Sequence, residues 1–209
     1  MLTLLLRQGG AALRMLVVAT VVLGLVYPFA VWGISQVPGL HGPAEGSVVT
    51  APDGTPVGSS LIGIDPVAAD PAADPYFHTR PSASAEDVLG PGDPSTSGGS
   101  NQGGFSEKLL GQVDQRRAAI AAREGVAPEA VPADAVTASG SGVDPQISPA
   151  YAELQVARVA RVTGLPEVQV RELVATATDG RVLGFLGEPG VDVTRLNLAI
   201  AGARATAGG

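Results

Sequence analysis

The chain has 209 residues, a net charge of −7, no cysteine and only 4% aromatic residues, against 28 Gly and 17 Pro. The length holds one membrane span and one modest domain, and a hydrophobic fraction of 45% is too ordinary for a multi-span or disordered chain. Residues 1–34 carry Arg7 and Arg14 and no acid, so the rest holds all 20 acids against 11 bases, a charge of −9 that argues against nucleic-acid binding. The missing thiols exclude both a disulfide framework and a thiolate metal site.

Met15 to Ile34 contains no charged residue over about twenty positions, enough to cross a hydrocarbon layer of about 30 Å. Its length favours an uncleaved anchor over a signal peptide, whose apolar region usually runs about 7–15 residues. The expected organisation is a short cytoplasmic tail over 1–14, an anchor over 15–34 and a soluble domain over 35–209. Arg7 and Arg14 precede the span and the next basic residue is Arg80. The positive-inside rule therefore places the amino terminus in the cytoplasm of the cell and the domain outside the plasma membrane. Thr20 and Gly24 form a small-xxx-small pair suited to close helix packing, and Tyr27 and Pro28 interrupt the aliphatic run.

Beyond the span, Ser47–Thr50 and Val57–Ile62 read as a hairpin around Pro52-Asp53-Gly54. Residues 65–104 are rich in Pro, Asp, Ser and Gly and read as loop. Ser106 caps a helix to Glu124 that Gly125 stops, with Arg116 and Arg117 on its polar side. Ser148 and Pro149 open a helix to Thr163, closed by Gly164, and Pro166 opens another to about Ala177. Strands follow at Arg181–Leu186 and Val191–Val193, then a short helix at Leu196–Ile200. The order predicts an α+β fold: one amino-terminal transmembrane helix, then a small extracytoplasmic domain with segregated helices and a small sheet.

Catalytic signals are weak. His41 and His78 are the only histidines, no serine sits in a G-x-S-x-G elbow, and two separated His cannot build a His-rich zinc site. His78 reads as a surface or turn residue. Glu86, Asp87, Glu124 and Glu129 read as solvated carboxylates. Ser139, Gly140, Ser141 and Gly142 have the composition of a phosphate-cradling loop, but lack the Gly-Lys-Ser/Thr that would follow and have no basic neighbour in sequence, so a turn is the simpler reading. Gln155, Arg158 and Arg161 share one helix face, which ordinarily is solvated.

Taken together, Gly24-Leu25-Val26-Tyr27-Pro28, Gly58-Ser59-Ser60-Leu61-Ile62-Gly63, Tyr76-Phe77-His78-Thr79-Arg80-Pro81-Ser82-Ala83 and Gly98-Gly99-Ser100-Asn101 begin a set of blocks in register. Thr137-Ala138-Ser139-Gly140-Ser141-Gly142-Val143-Asp144-Pro145-Gln146-Ile147-Ser148, Gln155-Val156-Ala157-Arg158-Val159-Ala160 and Leu196-Asn197-Leu198 complete it. The set resembles the KdpC family, one of the components of the Kdp-type potassium-transporting ATPase. The family usually has His where Gln146 stands, Pro at Ala157 and Asn at Asp192, and it varies at His78.

The resemblance implies a non-catalytic subunit of an ATP-driven potassium pump. Its partners would be a channel-like potassium-binding subunit, a P-type ATPase subunit and a small hydrophobic subunit. Potassium is then the transported ion, and ATP the ligand of the ATPase subunit, whose affinity for ATP a KdpC protein would raise. Ser139, Gly140, Ser141, Gly142, Asp144, Gln155 and Arg158 become the candidates for nucleotide affinity or partner contact. An outward domain cannot touch cytosolic ATP, so the effect would travel through contacts between subunits. The rival readings are a stand-alone anchored binding module and, less well supported, an anchored hydrolase.

Overall fold

A computed structural model describes residues 1–51 and 53–207, in two compact units, Met1–Ser47 and a second that starts at Val48. In the first, α1 (Leu2–Val21) continues through a π-helical turn (Val22–Val26) into α2 (Tyr27–Ser35), so the helix also covers the stretch expected to be a tail. Leu6–Ser35 is long and apolar enough to cross a membrane. Leu16, Leu23, Phe29 and Trp32 are each more than 60% exposed, as suits a helix whose solvent is lipid. Pro28 cannot donate to the carbonyl four residues back. The helix does not break there. It widens just upstream, where the Tyr27 N–H reaches back five residues to the Val22 carbonyl. A short α3 (His41–Ala44) follows.

The second unit opens with an antiparallel hairpin, β1 (Val48–Thr50) and β2 (Pro56–Ser59), in which Val48 pairs with Ser59. The Asp53 carboxylate accepts the Thr55 N–H and Gly54 turns at φ +84°, which closes the turn as read from the sequence. Pro52, the first residue of that turn, lies outside the described residues. The second strand stops three residues short of Ile62, because the Ser59 hydroxyl takes the Leu61 N–H and the Gly63 N–H turns to the Val143 carbonyl. Residues 65–104 are irregular apart from one 3-10 turn, Pro71–Ala73.

The helices of this unit obey their caps. In α4 (Glu107–Glu124) the Ser106 hydroxyl accepts the Leu109 N–H and Gly125 ends the helix at φ +69°. After a short α5 (Ala133–Val136) and β3 (Gln146–Ile147), α6 (Pro149–Thr163) starts on Ser148, whose hydroxyl accepts the Tyr151 N–H, and stops on Gly164 at φ +75°. Then come α7 (Glu167–Thr176), β4 (Thr178–Asp179), β5 (Gly190–Asp192) and α8 (Val193–Ala207). The strands form a small antiparallel sheet in the order β3-β5-β4. The α+β class and its helices thus stand as read.

Two elements differ from expectation. Arg181–Leu186 is not a strand: Val182 and Leu186 exchange both backbone hydrogen bonds across a tight turn, with Leu183 at φ +55° and Gly184 at φ +82°. Pairing with β5 goes instead to Thr178 and Asp179, because β5 offers only three residues and the chain between folds on itself. The last helix is longer than Leu196–Ile200, since Asp192 accepts the Arg195 N–H at its start and the Ala-rich stretch after Ile200 continues it.

The core lies around α6. Tyr151, Ala152, Val156 and Val159 are fully buried, with Ile120 of α4, Val170 of α7, Val191 of β5 and Leu196 of α8 around them. Fully burying each of the Val, Ile and Leu side chains contributes about 1.5–3 kcal/mol. Loops reach this core by close backbone approach. A Cβ on Gly63 would lie 2.5 Å from the Pro145 Cα and 2.6 Å from the Asp144 carbonyl oxygen, whereas one on Gly140 would meet nothing within 4 Å. Gly63→Ala should therefore lower the unfolding free energy by about 1–3 kcal/mol, and Gly140→Ala should leave it within about 0.5 kcal/mol. Chemical denaturation of the detergent-solubilised chain reads both; equal midpoints for the two variants would contradict the contact.

Candidate functional site

The segment Asp74–Ser82 belongs to no helix or strand, yet Asp74, Phe77, His78, Thr79 and Ser82 are all buried. Buried peptide groups need partners, and in this segment most of them are side chains. Two amides supply them. Gln155 accepts the His78 N–H at 2.8 Å through Oε1 and donates Nε2 to the His78 carbonyl at 3.3 Å. Asn197 does the same one residue earlier, accepting the Phe77 N–H and donating to the Phe77 carbonyl, both at 2.8 Å. The Asp65 carboxylate takes the Thr79 N–H at 2.8 Å, and Arg158 donates Nη1 to the Asp74 and Tyr76 carbonyls, both at 2.9 Å.

Charged groups surround this clamp in balance. The His78 ring lies between two carboxylates, Nδ1 at 3.1 Å from Asp65 and Nε2 at 2.5 Å from Asp74. Only the imidazolium can donate to both. Burial by itself pushes the His78 pKa down, but the hydrogen bonds to Asp65 and Asp74 outweigh it and the repulsion from Arg123, and the net shift is upward. For Asp74, burial raises the pKa, while the hydrogen bond and charge of His78, the Tyr76 N–H and Arg158 carry it below the usual carboxylate value. Glu124 receives Arg158 Nε at 2.9 Å on one oxygen and Arg123 Nε at 2.7 Å on the other, and Arg123 reaches on to the Tyr151 hydroxyl at 2.9 Å. Asp65, Asp74 and Glu124 thus face His78, Arg123 and Arg158, three charges of each sign.

These positions correct several sequence expectations. His78 is 6% exposed and no surface residue. The Glu124 side chain is sealed from solvent by two guanidinium groups and is no solvated carboxylate. Gln155 and Arg158 are buried, and of their shared face only Arg161 is exposed, because the segment Asp74–Thr79 lies against it. Arg116, expected on the polar side of α4, is also buried, and Arg117 beside it is only part-exposed.

The Ser139–Gly142 block forms a turn that uses its own donors. The Ser139 N–H goes to the Pro81 carbonyl, the Gly142 N–H to the Ser139 hydroxyl and the Val143 N–H to the Ser141 hydroxyl. Gly142 sits at φ +75°, 2.9 Å from the Gly98 carbonyl oxygen measured from an added Cβ, so the block and the Gly98 loop interlock. The fold does bring a cation that local sequence lacks. Arg80 reaches Asp144 at 3.3 Å and the Thr137 and Ala138 carbonyls at 3.3 Å. Ser139 and Gly142 are buried, Ser141 and Asp144 half-buried and Gly140 exposed. On the anchor, Thr20, Gly24, Tyr27 and Pro28 are all exposed, and a Cβ on Gly24 would meet only the Thr20 methyl at 3.9 Å, which leaves an open notch.

Sequence reasoning missed Asp65, Asp74, Arg123, Tyr151 and the role of Asn197. Only Asn197 carried a signal, as an amide inside a recognisable block. A shallow cleft of about 230 Å³ borders His78, Asp65 and Arg123, but no Ser or Thr lines it, so the buried imidazolium faces no hydroxyl nucleophile there.

The cluster sets a pH window. The stabilisation from His78 is complete below about pH 6.5 and lost as pH rises through its raised folded value. That from Asp74 is complete above about pH 3.8 and lost as pH falls through its depressed value. Thermal unfolding should therefore be most resistant between about pH 4 and 6.5. His78→Gln should cost about 3 kcal/mol by leaving two carboxylates short of a cation, and should flatten the alkaline fall. An unaltered alkaline limb in that variant would show that another group titrates.

Within the second unit, the blocks picked out in the sequence are therefore tied to one another by hydrogen bonds, and the chain as a whole matches known proteins. The family model for KdpC, the K+-transporting ATPase c chain, matches residues 10–202. A potassium-transporting ATPase KdpC subunit of Kineococcus radiotolerans is 51% identical over 199 residues, covering 95% of each chain. Those of Koribacter versatilis and Mycobacterium tuberculosis are 45% and 44% identical, over 90% and 93% of this chain and 91% and 97% of theirs. The chain belongs to the KdpC family, the c chain of the K+-transporting ATPase.

Proposed function

We propose that this chain assembles and tunes a potassium pump by touching the pump's other subunits, with no nucleotide site at Gln155 or the Ser139–Gly142 turn. Family membership makes it an accessory subunit of the potassium-transporting ATPase and not the catalytic one. One observation carries the finer reading. The side chain with the strongest claim to touch nucleotide, Gln155, is 0% exposed, and both ends of its amide are engaged, by the His78 backbone and by Arg158 Nη2 at 3.1 Å. Freeing it for a ligand would break three hydrogen bonds and open the clamp.

The partners in this reading are a channel-like potassium-binding subunit, a P-type ATPase subunit and a small hydrophobic subunit. Potassium passes through the first, and ATP binds the second. Any rise in ATP affinity is then a coupling free energy between sites, ordinarily about 1–3 kcal/mol or roughly 5- to 150-fold. The paired positive charges before the span support an outward domain, with Arg7 and Arg14 on the cytoplasmic side. The turn at 181–188 offers a contact surface. Val182, Leu183, Phe185 and Leu186 are 65%, 80%, 68% and 50% exposed, and the Arg181–Glu188 ion pair at 2.6 Å closes the base of the turn. A clustered apolar tip of this kind is the usual mark of a protein contact.

Two experiments test the reading. Because the chain has no cysteine, single substitutions at the exposed Val67 and Phe105 report topology in intact cells with a membrane-impermeant thiol reagent. Labelling from outside is expected; protection until the cells are broken would reverse the orientation and put the domain on the side where ATP is. Separately, Leu183→Asp with Phe185→Asp should weaken co-purification with the other subunits at least about tenfold, and leave the domain's unfolding within about 0.5 kcal/mol of wild type. Unchanged co-purification would remove the tip from the interface.

A further inference from the structure

Upstream of the Glu124 cluster, α4 lines a polar cleft of about 350 Å³, bordered on its other side by the loops through Ser82 and Ser100. Lys108, Gln112, Gln115 and Arg116 fall at i, i+4, i+7 and i+8 along that helix, so their side chains reach one cleft. Arg116 is the group that needs explanation. It is 5% exposed, and among the described residues its guanidinium makes one hydrogen bond, Nη1 to the Val136 carbonyl at 3.3 Å, and meets no carboxylate within ion-pair distance. Burial pushes its pKa down with nothing to offset it. Arg158, equally buried in the same domain, is matched by Glu124 and spends Nε, Nη1 and Nη2 on protein acceptors. The Arg116 nitrogens that bond no protein group keep contact with solvent in the cleft, so an anion there would replace water and supply the counter-charge that the protein does not.

We propose that this cleft binds a small oxyanion, a carboxylate or phosphate group on a polar body, with Arg116 as its buried counter-charge and Lys108 as a second, exposed cation. Gln112, Gln115, Ser82 and Ser100 furnish neutral donors around it. Planar guanidinium and flexible ammonium together suit an anion with several oxygens. Two carboxylates, Glu86 and Asp87, also line the cleft, but they are exposed and sit on a ridge shared with a second depression, where water screens them. The domain's overall negative charge opposes anion approach only at long range. Beyond about 8 Å it is screened at physiological salt, so local geometry decides binding.

Lys108 is the only lysine in the chain, which gives the site its own reporter. The full chain in detergent is acylated with an amine-reactive ester at constant ionic strength, alone and with glycerol 3-phosphate or malate, and modification is read by mass spectrometry. Saturable protection of Lys108, about tenfold slower acylation at roughly ten times the dissociation constant, with the terminal amine unaffected, is the expected result. Arg116→Gln should abolish the protection. Should that variant fail to fold, Gln115→Leu, an exposed change that strips an amide donor from the cleft without touching the buried charge, should abolish it as well. No protection by either anion, equal protection of the terminal amine, or protection that survives Gln115→Leu would each overturn the proposal.

Discussion

An irregular stretch of chain cannot be buried unless something other than a helix or a sheet satisfies its peptide groups, and this domain is built around one such stretch. The backbone from Asp74 to Thr79 passes through the core beside α6, and its donors and acceptors are met by Gln155, Asn197, Asp65 and Arg158. These side chains come from three separate parts of the chain, with Gln155 and Arg158 on α6, Asn197 on α8 and Asp65 in a loop. A buried carbonyl or amide left bare costs about 1–3 kcal/mol, so the clamp ties α6, α8 and the loop at Asp65 to a single arrangement. The Phe77 side chain, 0% exposed, then enters the apolar core at the point the two amides define.

Charge reinforces the same segment. Removing ions from water is expensive, and a buried ion pair often adds little net stability compared with apolar packing. What it does here is specify geometry. Glu124 can serve both Arg123 and Arg158 only if the end of α4 lies beside the middle of α6, and the His78 ring can serve both Asp65 and Asp74 only if the loop before the clamp folds back. With three charges of each sign, any misplacement strands a charge in a low-dielectric interior. This makes the network a stronger constraint on which structure forms than on how stable it is.

Local structure was legible because it is locally encoded. Ser106 and Gly125, and Ser148, Pro149 and Gly164, bound their helices where capping chemistry requires, and Asp53-Gly54 closes its hairpin. The failures share a cause. Arg181–Leu186 has β-prone composition, but whether it pairs depends on a partner strand that a single stretch does not reveal, and β5 is already taken by Thr178 and Asp179. His78, Glu124, Gln155 and Arg158 looked solvated because polar residues usually are, and their burial depends on groups 13 to 84 positions away in the chain. The resemblance of the blocks identified the family, yet did not reveal that blocks distant in sequence are one structural unit.

That unit changes what a shared motif means. Gly63 bonds Val143, Pro81 bonds Ser139, Gly98 bonds Ser141, His78 bonds Gln155 and Phe77 bonds Asn197, so every one of these blocks in the soluble domain holds another in place. Residues recruited to hold a loop-rich core are under as much constraint as residues that hold a ligand, and a linear pattern does not distinguish the two. The distinction lies in what remains unspent after internal bonding. Gln155 and Arg158 have their side-chain polar groups engaged inside the domain, and in the Ser139–Gly142 turn both hydroxyls and the Ser139 and Gly142 N–H groups are engaged as well. The apolar tip at Val182–Leu186 and the guanidinium of Arg116, with its single protein hydrogen bond, instead keep surface and donors that no internal contact uses.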